Sequence, residues 1–325
     1  MFSDVDSQHK KAILAVEADL LKLVNLADVE SLLNVQKVVE DLSNRLKAFE
    51  DHHEHKELIQ WISPLDFHAN HQDQLDKHMP GTGQWLLDHS EYKRWKSASS
   101  SSIFLLHGIP GCGKSILSSS VIEQYLNERK NNPVTEPFAY FYCADYENEK
   151  DRSQPQEILR SIVRQLTMSG RPRPEVRHIL SSEFEQLQAR SKVEGVDMIR
   201  PRIGDCERLI MNVTVDNSVT IVVDALDEIP DSERYVLLAL FERVVANAQN
   251  LVKIFLTSRS DSGIFDALPT ASRFCIQSQD TRIDMERFIR QLMDGAKGRG
   301  KLLKSQDPAL QENLIQTLLK EAEEM

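Results

Sequence analysis

Cysteine is scarce in this 325-residue chain: only Cys112, Cys143, Cys206 and Cys275 occur. They stand far apart with no Cys-x-x-Cys, which excludes a disulfide scaffold and fits a reduced, cytoplasmic setting. Positive charge is also short. Against 50 Asp and Glu there are 39 Lys and Arg, a formal net charge of −11. A general nucleic-acid binder needs a basic face to neutralise phosphates, so no nucleic-acid partner is expected, although a local basic groove stays open. No apolar run approaches the ~20 residues of a membrane span. The opening Met1-Phe2-Ser3-Asp4-Val5-Asp6 has neither a basic segment nor an apolar core, so no signal peptide is expected. Hydrophobic residues nevertheless make up 41%, enough for a sizeable core in one large domain with appendages or in two domains.

The most informative stretch is Gly108-Ile109-Pro110-Gly111-Cys112-Gly113-Lys114-Ser115, which reads Gly-x-x-x-x-Gly-Lys-Ser. An apolar run, Ile103–Leu106, precedes it and reads as a buried strand. Helical apolar spacing follows from Ile116 to Leu126. Strand, glycine loop and helix form the setting of a phosphate-binding loop. Its backbone N–H groups turn inward around phosphate oxygens, and the helix N-terminus adds its positive dipole end. Lys114 is expected to reach the β- and γ-phosphates, and the Ser115 hydroxyl to ligate Mg²⁺. Cys112 has two readings. A helix N-terminus lowers a thiol pKa and would make it oxidation-sensitive; alternatively it fills a variable loop position.

Upstream, residues 9–50 carry apolar residues at three- and four-residue steps without Gly or Pro, which predicts a helical hairpin or coiled-coil arm. Self-association or a helical partner through this segment and purely intramolecular packing both fit. Histidines crowd 51–79, but without cysteine and without paired ligand spacing they read as solvated helix and loop residues rather than a metal site. Pro64 is expected to end a helix and leave the chain extended. Gly81-Thr82-Gly83 opens an amphipathic helix running to about Trp95. The turn is either an ordinary helix start or a backbone wrap for the adenine edge.

Downstream, strands are predicted at 138–143, 220–224 and 252–259, with a weak fifth at 273–276. Helices fall at 153–166, 175–190, 202–215, 231–249, from 284, and at 307–323. Alternating strand and helix predicts an α/β fold, a five-stranded parallel sheet covered on both faces. Asp224 ends an apolar strand, where a phosphate-loop protein holds Mg²⁺ through water opposite the loop Ser. Asp227 and Glu228 follow at the same edge, and acids beside a triphosphate require a cation and a water to activate. Arg259 ends the next strand. It either reads the γ-phosphate or pairs with Asp227 or Glu228. A small-molecule phosphotransferase would need a mobile arginine lid, for which Arg160, Arg164, Arg171 and Arg173 are the candidates.

Gly108–Ser115, Ile221-Val222-Val223-Asp224-Ala225-Leu226-Asp227-Glu228 and Phe255-Leu256-Thr257-Ser258-Arg259 together resemble the NACHT domain of STAND-class P-loop ATPases. The nearest variant is the nephrocystin-like N-terminal type of fungal NLR-like receptors, often followed by ankyrin repeats. Trp61–Phe67 and Gly81–Trp85 resemble the segment preceding its phosphate loop. The resemblance implies the additional-strand class of P-loop NTPase and a slow ATPase switch, in which ADP holds a closed monomer and ATP permits assembly. A nucleotide-bound scaffold without turnover is the other expectation. Gly108, Pro110, Gly111, Cys112, Gly113, Lys114, Ser115 and Ile116 would bind ATP or ADP, with Gly81, Thr82 and Gly83 near the adenine. Ser115 and Asp224 would hold Mg²⁺. Asp227 and Glu228, one orienting the attacking water, and Arg259 as sensor would complete the catalytic set. Many related ATPases place a glutamate directly after the Mg²⁺ Asp; Ala225 stands there, so slow hydrolysis is expected. The implied organisation is a helical region 1–56, an adenine-side segment 57–97, a core 98–280 and, at 281–325, the start of a helical region that continues in the family.

Overall fold

The computed structural model describes residues 57–132, 136–145, 147, 149–168, 174–195, 199–298 and 308–323, with the isolated positions 37, 40, 41 and 43. The chain divides into two compact units, Met1–Leu58 and Ile59–Met325. Of the first, the isolated positions and 57–58 are helical; the reading of 9–50 lies otherwise outside the described residues, as do His52, His53, His55, Arg171 and Arg173.

The second unit is built on five parallel strands: β1 (Ser102–His107), β2 (Phe138–Tyr142), β3 (Val219–Asp224), β4 (Val252–Ser258) and β5 (Ser272–Cys275). Their spatial order is β2-β3-β4-β1-β5. β4 thus lies between the strand before the glycine loop and the strand ending in Asp224, which is the additional-strand arrangement expected. The inner strands are buried on both sides, so they read as unbroken apolar runs.

Period-two alternation splits those runs between the two faces. On one face, Phe104, Leu106, Tyr140, Val222 and Phe255 pack with Leu86, Tyr92, Trp95 and Val121. These last belong to α2 (Gln84–Asp88), α3 (Ser90–Ser97) and α4 (Lys114–Asn131). Phe104 and Phe255 stack at 5.6 Å across β1 and β4; burying side chains of this size contributes about 2 kcal/mol each. On the other face α8 (Asp231–Asn247) packs on β4 and β1. The β2 edge is closed rather than open. Gln165 of α5 (Pro155–Met168) accepts from the Tyr140 N–H at 3.0 Å and donates to its carbonyl at 2.7 Å, and Arg152 donates to the Tyr142 carbonyl. Pairing those backbone groups removes the edge's capacity to recruit another strand.

α6 (Pro174–Glu194) and α7 (Ile203–Asp216) flank α5, and α9 (Ser262–Ala267) follows β4. α10 (Ser278–Gly298) and α11 (Pro308–Glu323) form a helical pair with its own small core of Ile289, Met293, Ile315 and Leu319.

Three predicted features differ. The chain after Pro64 is extended only to Asp66; α1 (Phe67–Lys77) then begins, because the Asp66 side chain accepts from the N–H groups of His68 and Ala69. The helix from Gln84 breaks at His89, which is extended (ψ 138°) and caps α3 by accepting from Glu91 N–H. His71 is not solvated: it is 5% exposed. Its Nδ1 lies 2.8 Å from the Tyr142 hydroxyl and its Nε2 3.0 Å from Glu123 Oε1.

Candidate functional site

β1 ends at His107 and α4 begins at Lys114, so the glycine loop spans 108–113. Gly111 and Gly113 sit at φ 81° and 90°, the left-handed region that a residue with a Cβ enters only at a cost of about 1 kcal/mol. Gly113 is the N-cap of α4, and no side chain caps that helix. Its first-turn N–H groups therefore stand without a side-chain partner at the positive end of the dipole, a ready anion site. Pro110, Gly111, Gly113, Lys114, Ser115 and Ile116 line one side of a cleft of about 290 Å³. Ala225, Asp227, Glu228, Thr257 and Arg259 line the other. The parallel order β3-β4-β1 brings these distant segments together, since all three strands end at one edge.

The Lys114 ammonium is held at the loop by the carbonyls of Gly108 (3.0 Å) and Ile109 (2.9 Å). Gly108 and Cys112 lie behind the lining. The Cys112 thiol packs partly buried against the core, and burial pushes its pKa up; nearby Lys114 opposes this without reversing it. Of the two readings of Cys112, this burial favours the one in which it fills a loop position.

Asp224 is 2% exposed. Its Oδ1 accepts two hydrogen bonds of 2.6 Å, from the Ser118 and Thr257 hydroxyls. Thr257 Oγ1 in turn accepts from the Ala225 N–H at 2.9 Å. Ala225 is the one residue other than glycine with positive φ among the described residues (φ 58°, ψ 51°). From this left-handed step a short 3-10 turn, Leu226–Glu228, presents Asp227 and Glu228 to the cleft.

Arg259 takes the pairing geometry of its two readings. Its Nε lies 2.8 Å from Asp227 Oδ2, its backbone N–H donates to Asp227 Oδ1 at 2.9 Å, and a terminal nitrogen lies 3.4 Å from Glu228 Oε1.

Gly81, Thr82 and Gly83 do not line the cleft. The Gly83 N–H donates to Asp284 of α10 at 2.6 Å, and Arg287 donates to the Gly81 carbonyl. A Cβ at Gly83 would fall 2.3 Å from Ser120 Oγ on α4, so only glycine fits there. Arg160 and Arg164, the candidate lid arginines, are structural. Arg160 bonds Glu157 and the Pro201 carbonyl, and Arg164 bonds the Ser63 and Leu65 carbonyls. Two of the four arginines that the phosphotransferase reading offered for a lid are thus committed elsewhere.

The reading of the sequence missed Ser118 and the role of Thr257. One signal was present: Ser118-Ser119-Ser120 is a polar run on a helix whose surroundings are apolar, and all three are buried.

The donor set fits a magnesium-bound phosphate group. An uncapped helix start, a lysine and the Ser115 hydroxyl face the carboxylates of Asp227 and Glu228 across one cleft, which Asp224 does not itself line. Among the described residues no group of three or more His, Cys, Asp or Glu is gathered to hold a metal by itself, and no helix is long and apolar enough to cross a membrane.

Fold and site together define a P-loop NTPase-like α/β domain of the additional-strand class. The family described as "Nephrocystin 3, N-terminal" matches residues 81–259, more than half of the chain. The chain belongs to this family. Among curated proteins no match was found. Similar solved structures include the Aeropyrum pernix ORC2 protein, solved as ADPNP-ADP complexes, at 14% identity and TM-score 0.39, covering 64% of this chain and 51% of that one. Cdc6p from Pyrobaculum aerophilum matches at 15% identity and TM-score 0.39, covering 74% and 53%. Domain III of the Thermotoga maritima replication initiation protein DnaA matches at 12% identity and TM-score 0.33, covering 66% and 71%. The chain spans about half the length of the first of these structures.

Proposed function

We propose that this chain is a nucleotide-dependent switch of the NACHT type within the STAND class. It binds ATP or ADP in the cleft between the glycine loop and the tips of β3 and β4, and the bound nucleotide controls assembly. The observation that carries this reading is the uncapped start of α4, with Lys114 and Ser115, facing Asp227, Glu228 and Arg259 across a single cleft. Ser115 and Asp224 would hold Mg²⁺, which when bound neutralises charge on the β- and γ-phosphates. Either Asp227 or Glu228 would orient the attacking water, and Arg259 would exchange its carboxylate partners for phosphate. The division 1–56, 57–97, 98–280 and 281–325, and self-association through residues 9–50 in a cytoplasmic protein of NLR-like type, belong to the same proposal.

A second reading, a nucleotide-bound scaffold without turnover, is favoured by one observation. Asp227 and Glu228 are both tied to Arg259, and Ala225 occupies the position next to the Mg²⁺ Asp. Two measurements decide. The nucleotide that co-purifies with the chain, read with its oligomeric state, tests the switch: ADP with monomer supports it, while absence of nucleotide and no ATP-induced change counts against it. ATP turnover that falls in Glu228→Gln while binding persists supports the switch over the scaffold.

A further inference from the structure

Ser118, Ser119 and Ser120 are consecutive, buried and on one helix, yet they spend their hydroxyls differently. Ser119 donates to the Ile116 carbonyl at 2.7 Å and Ser120 to the same carbonyl at 3.1 Å. Both satisfy themselves within α4, as serine in a helix commonly does. Ser118 instead reaches out of the helix to Asp224 Oδ1, 106 positions away in sequence, at 2.6 Å. Thr257 of β4 donates to that same oxygen at the same distance.

The consequence is geometric. Asp224 and Thr257 lie on the α4 face of neighbouring strands, and Ser118 comes down on them from above. Two short donors on Oδ1 fix the rotation of the carboxylate and offset the cost of burying its charge. Both bonds fall on the same oxygen, so Oδ2 receives neither hydroxyl. Thr257 also accepts from Ala225 N–H, so the cluster fixes the left-handed step from which Asp227 and Glu228 depart. A carboxylate held through its second oxygen is how outer partners set the orientation of a metal-holding group.

We infer that Ser118 is a positioning residue for divalent-cation binding at this site: it couples the helix that receives the phosphates to the carboxylate that receives the cation. The inference rests on the reading of the cleft as a magnesium-nucleotide site. Ser118 touches neither ligand and acts only through Asp224.

The test uses the full chain and a fluorescent ATP analogue, titrated in Mg²⁺ and in EDTA. The readout is the ratio of the two affinities, which a merely structural hydroxyl would not move. Wild type is expected to bind more tightly with Mg²⁺. Ser118→Ala is expected to cut that gain by roughly tenfold, the usual cost of losing an outer partner of a metal ligand, while affinity in EDTA holds. Ser118→Cys, which keeps the branching of the side chain with a slightly larger and weaker donor, is expected to move the same way, and it decides the matter if Ser118→Ala does not fold. If Asp224→Asn loses the Mg²⁺ gain while Ser118→Ala and Ser118→Cys keep it, the inference is overturned and the site reading stands. If wild type itself binds equally with and without Mg²⁺, the site reading fails and takes the inference with it.

Discussion

Asp224 ends β3 and Asp227 lies three residues on, in the 3-10 turn that follows, yet their surroundings have little in common. Asp224 is 2% exposed and answers to two hydroxyls on one oxygen. The Asp227 side chain is 11% exposed and answers to a guanidinium that is itself 55% exposed. Buried, hydroxyl-held charge cannot change partners without leaving a desolvated group unpaired, so its geometry is fixed. A pair whose guanidinium is exposed is screened on that side and worth about 1 kcal/mol, so the guanidinium can leave while the Arg259 N–H still holds Asp227. One strand end and the turn after it thus carry an immobile acid and a replaceable guanidinium pairing. That division suits a site in which a cation must be placed once and the contacts around a terminal phosphate must come and go.

The comparison can be broken by unfolding measurements. Thr257→Val keeps the shape and removes a hydroxyl that both donates to Asp224 and accepts from Ala225. It should lower unfolding stability in urea by about 2 kcal/mol, the scale of a buried hydrogen bond to a charged group. Ala225→Gly should raise stability by up to about 1 kcal/mol, because glycine enters the left-handed region without a Cβ penalty. Arg259→Ala should cost less than about 1 kcal/mol. If Thr257→Val and Arg259→Ala cost the same, the two acids are not held differently and the comparison fails.

A smaller effect lies one layer back. Tyr142 pairs in register with Asp224 on the neighbouring strand, and its hydroxyl meets His71. Burial lowers the His71 pKa below its ordinary 6.5, partly opposed by Glu123. The folded state therefore favours neutral imidazole. Its contribution is fully present above pH 6.5 and is lost as pH falls through 6.5 towards the lower folded value. Stability followed from about pH 7.5 to 5.5 should decline in wild type and decline less in His71→Gln. An unchanged slope in His71→Gln would place the pH dependence elsewhere.

What could be read from sequence follows from how local each signal is. The strands around Leu105, Val222 and Phe255 are apolar runs bounded by turns, and the glycine loop lies between one of them and a helix, so the fold and the place of the glycine loop in it were legible. α1 was not, because only Phe67 and His71 of that helix are buried and its polar face hides the periodicity; Asp66 as cap was the missed sign. The contact of Ser118 with Asp224 could not be read, since it depends on which strand lies beside β3 and on which face α4 crosses. The two readings of Cys112 could not be separated, because thiol pKa depends on burial, which spacing does not reveal. Arg160 and Arg164 look like ligand-binding arginines in sequence. Only the fold shows that their donors are taken by carbonyls at 63, 65 and 201.

The central claim is that the loop between β1 and α4 binds nucleoside triphosphate through Lys114. Equilibrium titration of wild type and Lys114→Ala with a fluorescent ATP analogue in Mg²⁺ tests it most directly. The account predicts saturable binding by wild type and a loss of at least roughly tenfold in Lys114→Ala, with the variant still folded by circular dichroism; a tenfold change is about 1.4 kcal/mol, less than one desolvated charge-assisted contact supplies. Equal binding by the two proteins, or none by wild type, would contradict it.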